Sequence, residues 1–444
     1  MWHETYSFTL SLAMITNLPI LYVKKNGRFT VEKRLSNCEK YFPFENLNQL
    51  NDLIITHKQN YFYTIKQTIF YNSFWDKLFE RDNQKRITYT GYKNNLNIYP
   101  IYFPQFHTIT ENNYTFYPDY NDAVNLSLVP KEYNSETPNL STYNLKNISD
   151  YNLLNTDIIQ KQVDIMCEYN YCGFSIYYYW FSQNTITNNN LIMEKVIDTF
   201  FNGAVQLHGK KIFLIWANES WSNNPAFGKN NHHIIANTYE DENLDLNVNV
   251  LITYFKNENY LKKDNKPVFM LHHPWFLTTD QLKLFEMKLN SKCLENNFDG
   301  VHFIVNSMDA FYKNFHNYNI NFNYKKQNQT FYCAEKQQIY LDYDKYYNQS
   351  TNKDNVVDTL IFNFDNRARL TKPDRLKCST ICINNCEFNK IRFMKSRLIN
   401  YETQNKFNIV LINAWNEWGE QMSIEPSNEY QYYYLNLINE YIGC

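Results

Sequence analysis

The stretch FNIVLINAWNEWGEQMSIEP, residues 407–426, decides the reading of this chain. Its apolar run, 409–412, has the length and β-branched content of a buried strand. The run stops at Asn413, and Trp415, Asn416, Glu417, Trp418, Gly419 and Glu420 follow at once. A buried strand that ends in clustered polar and aromatic residues is how the C-terminal mouth of a (β/α)8 barrel is built. Two carboxylates three positions apart, flanked by indoles, fit the chemistry of glycosidic bonds. One carboxyl must hold a proton for the leaving oxygen, and apolar walls raise its pKa by disfavouring the charged form. The other must stay ionised as base or nucleophile. The alternative is a surface turn with two solvated glutamates.

Outward from this stretch, apolar runs alternate with longer helical patterns. Strands are expected at 97–103, 173–179, 212–216, 267–272, 301–305, 359–364 and 408–413. Amphipathic helical stretches lie at 154–169, 191–207, 245–255, 279–296 and 391–405. That alternation implies βαβ units and a parallel sheet, and six or seven units suit an α/β fold of the TIM-type (β/α)8 class. No glycine-rich phosphate loop follows the first strand, and the chain holds only 9 Gly, which counts against a dinucleotide fold.

Residues 1–85 follow a different rhythm: a helical stretch at 6–16, a strand at 19–23, and helical stretches at 47–57 and 61–81. The polar run DNQKRITYTGYKNN, 82–95, reads as a linker. The expected organisation is therefore a separate piece over 1–85, a linker over 86–95, and a barrel over 96–444.

Composition narrows the function classes. The formal net charge is −2 and no long basic run occurs, so nucleic acid has no electrostatic footprint here. Mean hydropathy is −0.58, and the N-terminal apolar segment is broken by Asn17 and Pro19. Membrane insertion and a secretion signal are not expected, which points to a cytoplasmic protein. Nine cysteines, an odd number spread thinly, suit free thiols. Cys378, Cys382 and Cys386 lack paired C-x2-C elements. The pairs His232–His233 and His272–His273 lack a third ligand at metal spacing. No metal and no cofactor is expected. Aromatics reach 18%; the excess of Tyr, Phe, Asn and Ile reads as an AT-rich coding bias, with sugar stacking as the functional alternative.

Four more strand ends carry candidate binding residues. YFPQFH, 102–107, offers Tyr102, Gln105 and His107, or a satisfied turn. GFSIYYYWF, 173–181, offers Tyr177, Tyr179 and Trp180, of which alternation turns only about half one way. KIFLIWANESW, 211–221, offers Trp216, Asn218 and Glu219, the last a third carboxylate that clamps a hydroxyl or rivals the pair. LIFNFDNRARL, 360–370, offers Asp365, Asn366 and Arg369 beside Arg367. An arginine here binds an acidic group or pairs with an internal carboxylate, and the internal pair is slightly favoured. Asn413, Trp415 and Trp418 complete the candidate set.

The series YFPQFH, GFSIYYYWF, WANESW, DNKPVFML, FDNRAR and NAWNEWGE with IEP resembles the WbsX-like domain of the glycoside hydrolase family 99-like group, in order, over about residues 96–440. The last motif also looks like the Trp-Asn-Glu-Trp-x-Glu signature of family 99 endo-α-1,2-mannosidases and mannanases. The resemblance implies a (β/α)8 barrel, a retaining mechanism without cofactor, and an oligosaccharide or polysaccharide substrate of α-mannoside type. It assigns Glu417 to deprotonating the substrate's own 2-hydroxyl, which attacks the anomeric carbon to give a 1,2-anhydro sugar. It assigns Glu420 to protonating the leaving group and then activating water or a sugar hydroxyl. Two departures stand out. Tyr117-Pro118-Asp119-Tyr120 replaces the family's Phe-Thr-Glu-Trp run, and Gln421 replaces its Gly after the second Glu. HETYSFTLSLAMITNLPILYV, 3–23, is similar to the end of a retaining GT-B glycosyltransferase, with Glu4 matched and Leu12 where a second Glu is needed. Residues 1–85 therefore read as a GT-B remnant without donor binding. Two other functions stay open: a glycan-binding protein with decayed catalysis, and a nucleotide-sugar-dependent transferase.

Overall fold

The computed structural model describes residues 20–23, 41–44, 96–115, 118–129, 135–182, 190–222, 233–306, 316–318, 330–333, 338–343, 356–369, 380–383, 390 and 408–442. The chain forms two units, Met1–Tyr92 and Lys93–Cys444. In the first, the strand Ile20–Val23 pairs in parallel with Tyr41–Phe44. The helical stretches read at 6–16, 47–57 and 61–81, the linker, Glu4 and Leu12 lie outside the described residues.

The second unit is a mixed α/β fold around a large central sheet. Its parallel strands are β1 (Asn97–Tyr102), β2 (Gly173–Trp180), β3 (Lys211–Trp216), β4 (Lys266–Leu271), β5 (His302–Asn306), β6 (His316–Tyr318), β7 (Val356–Ile361) and β8 (Ile409–Asn413). Successive strands pair in chain order from β1 to β8, and β8 pairs in turn with β1. Register follows the apolar residues: Phe174 lies opposite Ile212, Phe269 opposite Leu214, and Val410 opposite Ile98. All eight residues of β2 are buried, as expected of a parallel strand covered on both faces. Gly173 opens that strand because a Cβ there would stand 1.7 Å from the Lys211 carbonyl oxygen.

Seven strands fall where the apolar runs put them. The eighth, β6, reads His-Asn-Tyr and carries no apolar run to reveal it. Helices α1 (Asp122–Ser127), α2 (Thr156–Glu168), α3 (Glu194–Thr199), α4 (Asp241–Phe255), α5 (Thr279–Glu295) and α6 (Tyr433–Ile442) accompany the sheet. Asn155 caps α2 by accepting from the Asp157 amide at 3.0 Å, and Thr278 and Gln281 form a capping box on α5. The helical stretch read at 191–207 shrinks to α3, because Leu191 and Ile192 add an antiparallel strand to β2 instead. The stretch 391–405 lies outside the described residues.

One buried acid holds the base of the β8 loop. Glu425 is fully buried and accepts hydrogen bonds from the Tyr143 hydroxyl, the Tyr151 hydroxyl at 2.8 Å, Gln162 Nε2 at 2.7 Å and Trp418 Nε1 at 2.8 Å. Burial pushes its pKa up, and these donors pull it back down. The loop is thereby pinned to α2 and to the segment before it. Changing Glu425 to Ala removes the common acceptor of four buried donors. The expected loss is about 3 kcal/mol or more, read as a lowered urea midpoint. An unchanged midpoint would remove this network from the account.

Candidate active site

Arg369 stands at the centre of the candidate site. Its Nη1 donates to Glu420 Oε1 at 2.9 Å and its Nη2 donates to Glu417 Oε1. The sequence brings these three together by two turns. After β8, the chain makes the short 3-10 turn Trp418–Glu420, with Glu417 just before it. After β7, the 3-10 turn Asn366–Ala368 carries Arg369 at its end. The Asp365 amide donates to the Glu420 carbonyl at 2.9 Å, so the turns are tied by backbone as well.

The two arginines of this segment divide the local acids. Asp365 caps its turn through the Arg367 amide at 3.0 Å and pairs with Arg367 Nε at 2.9 Å. Arg369 takes the glutamates and lies over the Phe103 ring, 5.3 Å from its centroid. Both arginines therefore make the internal pairs that the sequence slightly favoured.

A third acid, unforeseen in the sequence, completes the cluster. Asp122, buried on α1, feels both Arg369 and Glu420. Asn125, one turn further along α1, donates to the Ala368 carbonyl at 2.9 Å and fixes the backbone that bears Arg369. Gly419 permits this approach: a Cβ there would lie 3.2 Å from Arg369 Nε and 3.6 Å from Asp122 Oδ1. Asp119, the nearest counterpart of the family's Glu, is exposed. The only local signal for Asp122 was the Asn121 cap that starts α1.

Electrostatics separates the acids. The Glu417 side chain is 6% exposed, against 21% for that of Glu420. Burial raises the Glu417 pKa to about 8; Arg369 opposes that rise, while Glu420 and Asp122 add to it. Burial also lifts Asp122 to about 6. Arg369, 28% exposed, is held cationic by Glu417, Glu420 and Asp122 against its own desolvation. Glu219 is raised by burial, with His272 and Arg369 pulling the other way. His273 Nε2 lies 3.3 Å from Glu219 Oε2.

Several aromatic and amide candidates serve behind the site and expose no surface to a ligand. Tyr102 is fully buried and donates to Gln162 Oε1 at 2.7 Å. Trp216 donates to the Trp180 carbonyl at 3.1 Å from the core. Trp415 packs edge-on to Phe174, and Trp418 donates to Glu425. Asn218 is buried with its amide clasping the His273 backbone, accepting at 2.8 Å and donating at 2.9 Å. These five are corrections to their reading as sugar contacts. Hydrogen-bond satisfaction of a crowded core takes up groups that composition alone cannot place. Asn413 and Trp180 are also buried.

Tyr179 does stand near the cluster, its pKa raised by burial and by Glu219 and Glu417. Gln105 and Asn366 are half-buried on the turns after β1 and β7. His107 is buried, its pKa pushed down to about 4 by desolvation, and it lines a pocket of about 320 Å³ with Thr108, Glu111, Met193 and Lys195. Asn416, missed as a scaffold residue, clasps the Phe103 backbone at 2.8 and 3.0 Å. Gln421 adopts the left-handed conformation, φ 54°, that a Gly would favour there. Its amide holds that conformation by bonding the Glu136 backbone at 2.6 and 3.1 Å and the Trp418 carbonyl at 2.7 Å. Among the described residues, no group of three His, Cys, Asp or Glu side chains is placed to hold a metal ion.

The family described as glycosyltransferase WbsX matches residues 98–438. A protein described as uncharacterized protein WxcX, from two strains of Xanthomonas campestris pv. campestris, is 24% identical over 179 residues. That match covers 40% of this chain and 24% of the relative, so the chain spans about a quarter of the length of these relatives. A solved glycoside hydrolase-like protein has a TM-score of 0.50 at 13% identity, over 79% of this chain and 94% of its own. The GH99 endo-alpha-mannosidase from Bacteroides thetaiotaomicron has a TM-score of 0.45 at 12% identity, over 78% of this chain and 97% of its own.

The folded-state pKa values of Asp122 and Glu417 lie above those of free carboxyls. At these two groups the native state binds more protons than the unfolded one between about pH 4 and pH 8, so their contribution to stability falls as pH rises through that window. Arg369→Met removes the counter-charge and steepens this fall. We expect little destabilisation at pH 5 and a loss of about 3 kcal/mol or more at pH 8, from denaturation at the two values. An equal loss at both would refute the coupling.

Proposed function

The chain belongs to the glycosyltransferase WbsX family, and from that premise we propose that it is a retaining carbohydrate-active enzyme of the (β/α)8 class that acts on α-linked, mannoside-like glycans. One observation carries the proposal: Glu417 and Glu420 converge on the two arms of one guanidinium, with one acid buried and the other partly open. Carboxyls with separated environments are what paired acid–base work requires. The succession of parallel strand pairings supports the barrel, and the polar ends of β1, β2, β3, β7 and β8 supply its mouth.

In the proposed reaction, Glu417 takes the proton of the substrate's 2-hydroxyl. The freed oxygen attacks C1 while Glu420 gives its proton to the departing glycosidic oxygen, leaving a 1,2-anhydro sugar. Glu420 then deprotonates water or an acceptor hydroxyl, which attacks C1, and O2 recovers its proton from Glu417. Burial raises the Glu417 pKa, and a more basic carboxylate suits a weakly acidic sugar hydroxyl. Tyr179, Gln105, Asn366 and Glu219 are proposed to bind sugar hydroxyls around it. Residues 1–85 are proposed to be the remnant of a GT-B lobe without donor-binding capacity. The parallel pairing of Ile20–Val23 with Tyr41–Phe44 is compatible with that origin.

The test is turnover of an α-mannan and glycan panel, with products read by mass. Glu417→Gln and Glu420→Gln are each expected to lower kcat about a hundredfold to ten-thousandfold with the fold intact. Full activity in both variants sinks the site. Binding without turnover by the unaltered chain favours decayed catalysis, and tight sugar-nucleotide binding favours the transferase reading.

The pH profile tests the shared proton. Glu420 must hold a proton while Glu417 is ionised, so the working state of the pair carries one proton. kcat/KM should fall as pH climbs through about 8, where that proton leaves the pair, and the fall should move in Glu417→Gln. A rate that rises through this range instead would exclude a proton on the pair from the reaction.

A further inference from the structure

We propose that Trp275 and Phe276 form an outer sugar subsite, an aromatic platform that stacks a pyranose ring beyond the unit held at Glu417 and Glu420. The proposal rests on the glycan-active reading above and adds a second place of contact. The 3-10 turn Pro274–Phe276 leaves the C-terminal end of β4, the end of the strands from which Glu219 and Glu417 also rise. Trp275 is 38% exposed and Phe276 51%. By contrast, Trp180, Trp216, Trp415 and Trp418 are all buried. An indole left open beside a second open ring needs a reason where four others are enclosed.

The platform is held in place before any ligand arrives. Proline opens the turn with its φ already fixed. The His273 ring packs edge-on against Trp275 at 4.7 Å and Phe276 at 5.6 Å. Asn218 grips the His273 backbone on both sides. Ordering two aromatic side chains in advance lowers the entropy cost of binding.

A chain of buried contacts links the support of the platform to the acids. His273 Nε2 lies 3.3 Å from Glu219 Oε2. The neighbouring His272 ring packs on Tyr177 at 5.6 Å, Tyr177 on Phe103 at 6.5 Å, and Phe103 carries Arg369. These contacts fix the turn that bears the rings relative to the strand ends that bear the carboxyls. Burial leaves His273 neutral near pH 7, so the rings sit on an uncharged support that suits a neutral saccharide. Two partly exposed rings offer far less than the roughly 800 Å² per partner of a stable protein interface. The C–H face of one pyranose matches them in kind.

The experiment measures binding of α-linked manno-oligosaccharides of two to six units to the full chain carrying Glu417→Gln. Affinity is expected to rise with length. Adding Trp275→Ala should weaken the chains of four or more units about threefold to tenfold and leave the disaccharide unchanged, while Trp275→Phe keeps most of the gain. An equal loss for short and long chains, no loss at all, or no binding of any member by the parent overturns the platform. If Glu417→Gln turns over substrate like the unaltered chain, the catalytic reading falls separately, and the length dependence still judges the platform.

Discussion

A single guanidinium facing three carboxyls is the constraint on which the site depends. Asp122, Glu417 and Glu420 each repel the others, and burial already disfavours charge on the first two. Arg369 is the group that lets this density of acid persist. A lysine would place one point charge where the planar fork of Arg369 serves two carboxylates at once. The fork fixes the spacing of the acids as well as their charge. Since one guanidinium cannot neutralise three carboxylates, proton uptake is the remaining route to balance. Glu417, the more enclosed of the two glutamates, is where that pressure shows.

The surrounding structure keeps the guanidinium in place by local devices of different kinds. Asn125 on α1 holds the carbonyls of Ala368 and Arg369, while Arg367 occupies Asp365 and so cannot compete for the glutamates. Asn416 fastens the β8 loop to the end of β1, and Phe103 at that end supplies the ring beneath Arg369. Gln421 shows how such a loop holds a residue other than glycine in the left-handed region. The strain of a left-handed residue is about 1 kcal/mol or more, and three side-chain hydrogen bonds offset it.

The sequence disclosed what repeats and concealed what depends on distant partners. Apolar runs revealed the strands, because a parallel strand covered on both faces must be apolar nearly throughout; β6, three residues long and polar, had no such mark. Glu417 and Glu420 were legible since a strand that stops abruptly in acids is rare and local. Arg369 was legible only as one of two arginines whose choice of partner needed the fold. Asp122 was not, for its meaning comes from residues about 250 positions later. The indoles of Trp415 and Trp418 misled for the same reason: next to two glutamates they look like cavity walls, and only Glu425 and Phe174 show that they face the core.

The abundance of tyrosine has a structural consequence of its own. The chain has 38 Tyr and 32 Phe but only 8 Trp, and tyrosine brings a hydroxyl into every place it is buried. Tyr102 and Tyr151 turn to Gln162 and Glu425, Tyr178 donates to Asn247 at 2.9 Å, and Tyr260 to the Val268 carbonyl at 2.8 Å. A tyrosine-rich core must therefore carry buried acceptors, which accounts for polar side chains such as Gln162, Asn247 and Glu425 inside the fold. A compositional drift of this kind multiplies tyrosine and phenylalanine and does not multiply tryptophan. The drift thus explains the crowded interior, but it leaves an exposed indole at the end of a central strand without a compositional cause. For Trp275 the outer sugar subsite proposed above supplies a cause.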